Sequence, residues 1–168
     1  MGEPRRYRYV GPDEIRAAIG QGAGGAAVQA RADLAGWLAG RDRRELAEPF
    51  TYVVDPGGVL RLAARRSEHV ACAGGGDVLA AGELAFARTD DGWVVSSVSN
   101  QSTGYCPDLD SWRAVTAALA LAGVPHPEFF TDPVVFRRCP GCGERNIVRE
   151  EHFVCALCDA ALPAEWNF

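Results

Sequence analysis

Two Cys-x-x-Cys pairs, Cys139–Cys142 and Cys155–Cys158, lie close together and are separated by twelve residues. Each pair brings two sulfur atoms together in a tight turn, and the spacer is long enough for a hairpin that places the two turns face to face. Four thiolates in this arrangement form the tetrahedral set that Zn²⁺ prefers. Because so short a segment buries too little apolar surface to fold alone, we expect bound zinc to supply the missing stability.

The same four cysteines could instead form two disulfides. Paired Cys-x-x-Cys units without a secretory leader are more typical of a metal site, because disulfides belong to oxidising compartments. The beginning of the sequence, MGEPRRYRYV, lacks the apolar stretch of such a leader. We therefore predict one structural Zn²⁺ ion in a reduced, cytoplasmic protein, bound by Cys139, Cys142, Cys155 and Cys158 with no position left for a substrate.

The composition restricts the remaining functions. All 17 basic residues are arginine, which excludes mechanisms that need a lysine, such as P-loop phosphate binding or Schiff-base chemistry. The formal net charge is −5, and residues 133–168 contain four arginines against five carboxylates. A ribbon that binds nucleic acid usually has a basic face. No apolar run is long enough to span a membrane, so we expect neither nucleic acid nor a membrane as a partner.

The hydrophobic pattern predicts an α+β domain, residues 1–132, followed by a small zinc-ribbon domain, residues 133–168. We expect an antiparallel sheet with helices on one face. The glycine-rich segment 20–27 is predicted to be a flexible break. The predicted helices cover residues 13–19, 28–38 and 108–123, and the predicted strands cover residues 50–54, 59–62, 78–87 and 93–98.

Two stretches carry more reactive side chains than a scaffold needs. The first, RRSEHVACAGGG at residues 65–76, combines two guanidinium groups, a carboxylate, an imidazole and a thiol. The second, SNQSTGYCP at residues 99–107, leads into a predicted helix whose positive end favours an anion or an activated thiol. Between them, Glu83 lies in an otherwise apolar strand, where a carboxylate is costly unless it is paired.

One interpretation of these stretches is an enzyme. Cys106, next to the helix start, would be a nucleophile with His69 or His126 as its base, although most free cysteines are inert, buried apolar residues. Alternatively, His69, Cys72 and Cys106 would bind a second zinc ion while Glu83 moves protons, as in hydrolytic zinc deaminases. The spacing of these residues departs from the deaminase signature.

The other interpretation, which we favour, is a module that binds a protein partner or a small ligand at loops 65–76 and 99–107. An arginine of the first loop would pair with Glu68 or Glu83, and polar side chains of the second loop would contact the ligand. A polar network that only fixes the loops is the simpler alternative. The candidate ligand-binding residues are Arg65, Arg66, Glu68, Cys72, Asn100, Gln101, Ser102, Thr103 and Tyr105.

Several uncommon strings occur in one order along residues 50–168. They are RRSEHVACAGG, AAGELAF, VSNQSTGYCP and FRRCPGCGERNIVREEHFVCALCDAALPAEWNF. Together they resemble a family of bacterial proteins without an assigned function. The last string is also similar to rubredoxin-like zinc ribbons, which implies a bound metal but no particular reaction. The resemblance therefore supports the domain layout and leaves open whether the protein is an enzyme.

Overall fold

The computed structural model describes residues 2–168 of the chain. Its strands are β1 Ala26–Val28, β2 Phe50–Val54, β3 Leu60–Ala63, β4 Ala80–Thr89, β5 Gly92–Val98, β6 Val135–Arg138 and β7 Arg145–Val148. The first five form an antiparallel sheet in the order β1-β3-β2-β4-β5, and β6 pairs with β7 in a separate hairpin. The predicted α+β class, with an antiparallel sheet followed by a small cysteine-containing ribbon, is confirmed.

The helices are short. They are α1 Asp13–Ala17, α2 Arg31–Ala39, α3 Arg43–Leu46, α4 His69–Cys72 and α5 Trp112–Leu121, the last preceded by a 3-10 turn at Leu109–Ser111. The helices predicted from sequence correspond to α1, α2 and α5, whereas α3 and α4 are single turns that the hydrophobic period does not reveal. No helix within residues 2–168 has the length and apolarity needed to cross a membrane.

The two faces of the sheet are covered by different elements. On one face, Val115 of α5 packs with Tyr52 of β2 in the larger core, to which α2 also contributes. On the other face, Val70 of α4 packs with Val53 of β2, together with α1 and the N-terminal arm, residues 2–10. Helices α2 and α5 therefore share one face, together with Leu46 of α3. Helices α1 and α4 and the arm cover the opposite face, although the sequence had placed the helices, α1 among them, on one face.

Strand β1 lies in the segment that was expected to be a flexible break. It pairs with β3, and Val28 is buried against the main core. The preceding Gly25 is required by a close approach, because a Cβ there would lie 2.6 Å from the Cys72 sulfur. Three residues are too few to show the alternation by which a strand is recognised in sequence.

The chain crosses over strand β4 directly after leaving β5. A Cβ on Gly82 would lie 2.0 Å from the carbonyl oxygen of Ser99. The hydroxyl of Tyr52 donates to the same oxygen at 2.8 Å. Because Gly82 has no side chain, the start of loop 99–107 can lie directly against β4 at this point. This crossing fixes where the loop leaves the sheet.

Candidate metal centre

The four predicted metal ligands meet in the ribbon. The sulfur atoms of Cys139, Cys142, Cys155 and Cys158 all lie within 4.8 Å of one another. The Cys139–Cys158 and Cys142–Cys155 sulfur pairs are 3.5 and 3.6 Å apart. Four sulfurs bound to one tetrahedral ion at the usual zinc–sulfur length would be about 3.8 Å apart, so the cluster could hold a single metal ion. All four are free thiols, and the disulfide alternative does not describe this structure.

In each Cys-x-x-Cys pair, a main-chain amide points toward the sulfur of the first cysteine. The amide of Gly141 donates to the sulfur of Cys139 at 3.3 Å, and the amide of Leu157 donates to that of Cys155 at 3.4 Å. The side-chain amide of Asn146 also donates to Cys155, at 3.4 Å. Donors in these positions stabilise a thiolate, which is the form of cysteine that binds a metal.

These donors favour ionisation of the Cys139 and Cys155 thiols. The amide of Cys142 lowers the pKa of Cys139, although burial opposes the change. Burial also opposes ionisation of Cys155, but the amide of Leu157 and the side chain of Asn146 help to outweigh it and lower its pKa to about 6. The thiolate form, which binds a metal, is therefore favoured at Cys139 and Cys155.

Outside its cysteines the ribbon has little core. Cys139 and Cys155 are buried in one small cluster with Val148 and Leu162, against which Phe153 is partly buried. Cys142 and Cys158 are exposed on the outer side. So small a cluster contributes little hydrophobic stability, which supports a folding role for the metal.

Loop 99–107 contacts the ribbon. Asn100 is completely buried, and its side-chain nitrogen donates to the carbonyl oxygens of Val134 and Pro107 at 2.8 and 3.0 Å. Its side-chain oxygen accepts from the amide of Val134 at 2.7 Å. Arg145 of β7 donates to the carbonyl oxygen of Thr103. These contacts form a polar network that fastens the loop to the ribbon, as in the simpler alternative considered above.

The segment after the second cysteine pair returns to the α+β domain. The indole nitrogen of Trp166 donates to the carbonyl oxygen of Cys106 at 2.8 Å. Its ring packs edge-on against Tyr7, with 5.4 Å between ring centroids, and the guanidinium of Arg5 lies 4.8 Å from its centroid. Trp166 thereby connects the ribbon, loop 99–107 and the N-terminal arm.

Arg137 fixes this returning segment to the ribbon. It is only 8% exposed, and it donates to the carbonyl oxygens of Pro163 at 3.0 Å and Ala164 at 2.5 Å. Sequence reasoning did not select Arg137 or Trp166. The available signals were an arginine two residues before the first cysteine pair and a tryptophan three residues after Pro163, and neither identifies its distant partner.

The three predicted catalytic residues make separate contacts. The Nε2 atom of His69 donates to the carbonyl oxygen of Gly82 at 2.8 Å, and burial lowers the pKa of the imidazole. The sulfur of Cys106 lies 3.5 Å from the carbonyl oxygen of Thr103, and burial raises its pKa to about 12. Burial thus opposes the activation of Cys106 that was expected from the following helix. Glu83 lies in β4 opposite Thr51 and makes no ion pair with a described residue.

His69, Cys72 and Cys106 do not form the second metal site considered from the sequence. The sulfur of Cys72 is directed to the carbonyl oxygen of Arg61, at 3.6 Å. Within residues 2–168, the ribbon cysteines are the one group of three or more His, Cys, Asp or Glu side chains whose ligand atoms converge. The side chains of these three residues each contact a different main-chain carbonyl oxygen, those of Gly82, Arg61 and Thr103 respectively, so their ligand atoms do not converge.

The ion pairs expected in loop 65–76 are also different. Arg65 pairs with Glu48 at 2.6 Å, and both side chains are about half exposed. Across the described residues, Arg66 and Glu68 form no ion pair. The predicted pairing of an arginine with Glu68 or Glu83 is therefore wrong. The partner of Arg65 is instead Glu48, which lies just before β2.

The remaining predicted ligand-binding residues divide by burial. Tyr105 is completely buried and its hydroxyl donates to the carbonyl oxygen of Gly76 at 2.5 Å. Ser102 is 1% exposed. Gln101 and the side chain of Thr103 are exposed beside the ribbon. Most of loop 99–107 is thus interior structure, and only two of its polar side chains face outward.

Comparison of the chain with protein-family models, with curated proteins and with solved structures found no match. The cysteine cluster is the feature compatible with a zinc ribbon.

Proposed function

We propose that this protein is a binding module whose fold depends on one structural Zn²⁺ ion. Zinc bound by Cys139, Cys142, Cys155 and Cys158 would close the ribbon. The ribbon would then hold loop 99–107 and the N-terminal arm in place, so that the α+β domain can bind a protein partner or a small ligand. The observation that carries this proposal is the joint formed by Asn100 and Trp166 between ribbon and domain.

The chemistry of the cluster favours zinc among the metals. Four sulfur donors with tetrahedral spacing suit a soft, redox-inactive ion of this coordination. Bound to all four thiolates, the ion supplies shape and stability and has no vacant position at which a substrate could react. The ion would therefore affect function indirectly, by holding the ribbon in the shape that contacts the α+β domain.

The positions of the reactive side chains favour binding over catalysis. Burial lowers the pKa of His69, whose Nε2 atom already donates to a carbonyl oxygen, and burial raises the pKa of the Cys106 thiol to about 12. No observation favours the hydrolytic or deaminase-like alternative. We further propose a cytoplasmic location, since reduced thiols require a reducing compartment, and membership of the uncharacterised bacterial family that the sequence strings resemble.

Metal analysis of the purified full chain tests the proposal. We expect one zinc per chain, and Cys142→Ser should lower this value well below one because the site loses a ligand. The indole N–H signal of Trp166 should move toward its solvent-exposed position in the same variant, as measured by NMR. Cys72→Ser is the matched control and should retain one zinc, because Cys72 lies outside the cluster.

Three outcomes would contradict the proposal. Purified protein without zinc would remove the metal, and two zinc ions per chain would restore the deaminase-like alternative. An unchanged Trp166 signal in the Cys142→Ser protein would show that the ribbon does not control the joint.

A further inference from the structure

A cleft of about 500 Å³ lies between the N-terminal arm and the first half of α5. Its floor is apolar and is formed by Leu79, Ala114 and Ala117. Its volume falls within the range typical of sites for small molecules. None of its lining residues belongs to loops 65–76 or 99–107, so the cleft is distinct from every site considered from the sequence.

The rim of this cleft carries charged side chains of both signs that have no partner within the described residues. Asp110 and Arg113 both line it, three residues apart at the start of α5. Among residues 2–168, neither side chain forms an ion pair or a hydrogen bond. Arg5, also at the rim, is paired with Asp108 at 3.0 Å. Glu3, another lining residue, likewise has no ion-pair partner in the part of the chain that the structure describes, so the cleft presents one unmatched cation, Arg113, and two unmatched anions, Glu3 and Asp110, beside apolar side chains.

Tyr7 supplies an independent observation. It lines the cleft and is only 1% exposed, and its hydroxyl has no hydrogen-bond partner among the described residues. A buried hydroxyl without a partner lowers stability. Burial, reinforced by the nearby Asp108, raises the pKa of Tyr7 to about 12, so the group keeps its proton and can only gain by donating it to an acceptor.

The N-terminal wall of the cleft, residues 2–4, is loosely attached. Residues 2–4 are exposed and form no hydrogen bond with any residue of the described chain. A small displacement of this wall is therefore inexpensive in free energy. The tyrosine hydroxyl is itself buried, so an acceptor group bound in the cleft would reach it only after such a displacement.

We propose that the cleft binds a free α-amino acid with an apolar side chain. The carboxylate accepts from Arg113 and from the hydroxyl of Tyr7, the ammonium group faces Asp110, and the side chain lies on the floor around Leu79. A zwitterion is the small molecule that carries both required charges next to an apolar group. This inference rests on the proposed function, in which the α+β domain is a binding module.

An NMR titration of the zinc-loaded full chain tests the inference. The probes are L-phenylalanine, L-leucine, and two phenylalanine derivatives that each lack one charge, N-acetyl-L-phenylalanine and L-phenylalaninamide. We expect saturable shifts at cleft residues with at least one of the amino acids. Each derivative should bind at least about fivefold more weakly than phenylalanine, because one charge-assisted contact is lost.

Variants assign each charge to its partner. Arg113→Gln should weaken binding of the amino acid about tenfold and leave L-phenylalaninamide unaffected, whereas Asp110→Asn should leave N-acetyl-L-phenylalanine unaffected. Tyr7→Phe should also weaken amino-acid binding, while it raises the melting temperature because the unpartnered hydroxyl is gone. Arg43→Gln removes an exposed arginine outside the cleft and should change nothing.

Zinc content measured in the same samples separates the two proposals. If zinc is present and neither amino acid gives saturable shifts at the cleft, the amino-acid site is overturned and the zinc-dependent fold stands. Equal affinities for the amino acid and its two derivatives would overturn the site as well. A chain without zinc would overturn the proposed function itself.

Discussion

Gly82 is the residue whose identity the fold constrains most tightly. An added methyl group would lie 2.0 Å from the Ser99 carbonyl oxygen, and this oxygen belongs to the main chain. Because the main chain cannot rotate away as a side chain can, we expect Gly82→Ala to lower the free energy of unfolding by about 3 kcal/mol. Urea denaturation measures this change.

Gly36 provides the matched control for that substitution. It lies inside α2, and no atom lies within 4 Å of the position of its missing Cβ. Gly36→Ala should therefore raise the free energy of unfolding by about 0.5 to 1 kcal/mol, since alanine favours the helix. A Gly82→Ala protein as stable as the unaltered chain would show that Ser99 does not cross β4 at this point.

Cys106 should be chemically inert in the folded protein. Its pKa of about 12 leaves almost no thiolate near neutral pH, and its side chain is completely buried. We expect iodoacetamide at about pH 8 to leave it unmodified until the protein is denatured, as followed by mass spectrometry. After removal of zinc the exposed Cys142 should react, which verifies the reagent. Rapid modification of native Cys106 would revive the nucleophile hypothesis.

Single residues differ in how far the sequence reveals them. The four ribbon cysteines could be predicted because their spacing along the chain already determines their geometry. The role of Asn100 could not, because its partner Val134 is 34 residues away and no local pattern connects the two. The same limit applies to Trp166, whose hydrogen-bond partner Cys106 is 60 residues distant.

Among the elements, loop 99–107 is the one whose interpretation changed most. Its polar composition is typical of a ligand-binding loop, yet Asn100 is buried and bonded to the ribbon main chain. Composition reports that a segment is polar and does not report whether its partners are a ligand or another part of the chain. By contrast, α2, α5 and the strands β2 to β5 could be predicted, since each carries its own period or turn signal.

Replacement of Asn100 tests the joint between loop and ribbon. Asn100→Ala would leave the amide of Val134 and two carbonyl oxygens without partners in the interior. We expect the free energy of unfolding to fall by about 3 kcal/mol, with faster hydrogen exchange around residue 134. The neighbouring Gln101 is exposed, so Gln101→Ala should change stability by less than about 0.5 kcal/mol. Equal effects of the two substitutions would contradict the joint.

For the molecule as a whole, the ribbon and the α+β domain are joined at several points. Asn100, Arg145 and Trp166 make three separate attachments. The division into residues 1–132 and 133–168 stays a prediction, because hydrogen bonds and an aromatic contact cross it. The sequence revealed the two parts through their different patterns, and it did not reveal that they are fastened to each other.

The meeting of Tyr7 with Trp166 has a consequence for the order of assembly. Nearly the whole chain lies between these two residues, so the pairing closes a very long loop and its entropic cost is met only after other contacts exist. The arm that Tyr7 anchors also forms one wall of the cleft beside α5. If zinc closes the ribbon as proposed, metal binding should precede the packing of the arm against Trp166, and the amount of available zinc would limit how many newly made chains reach their final fold.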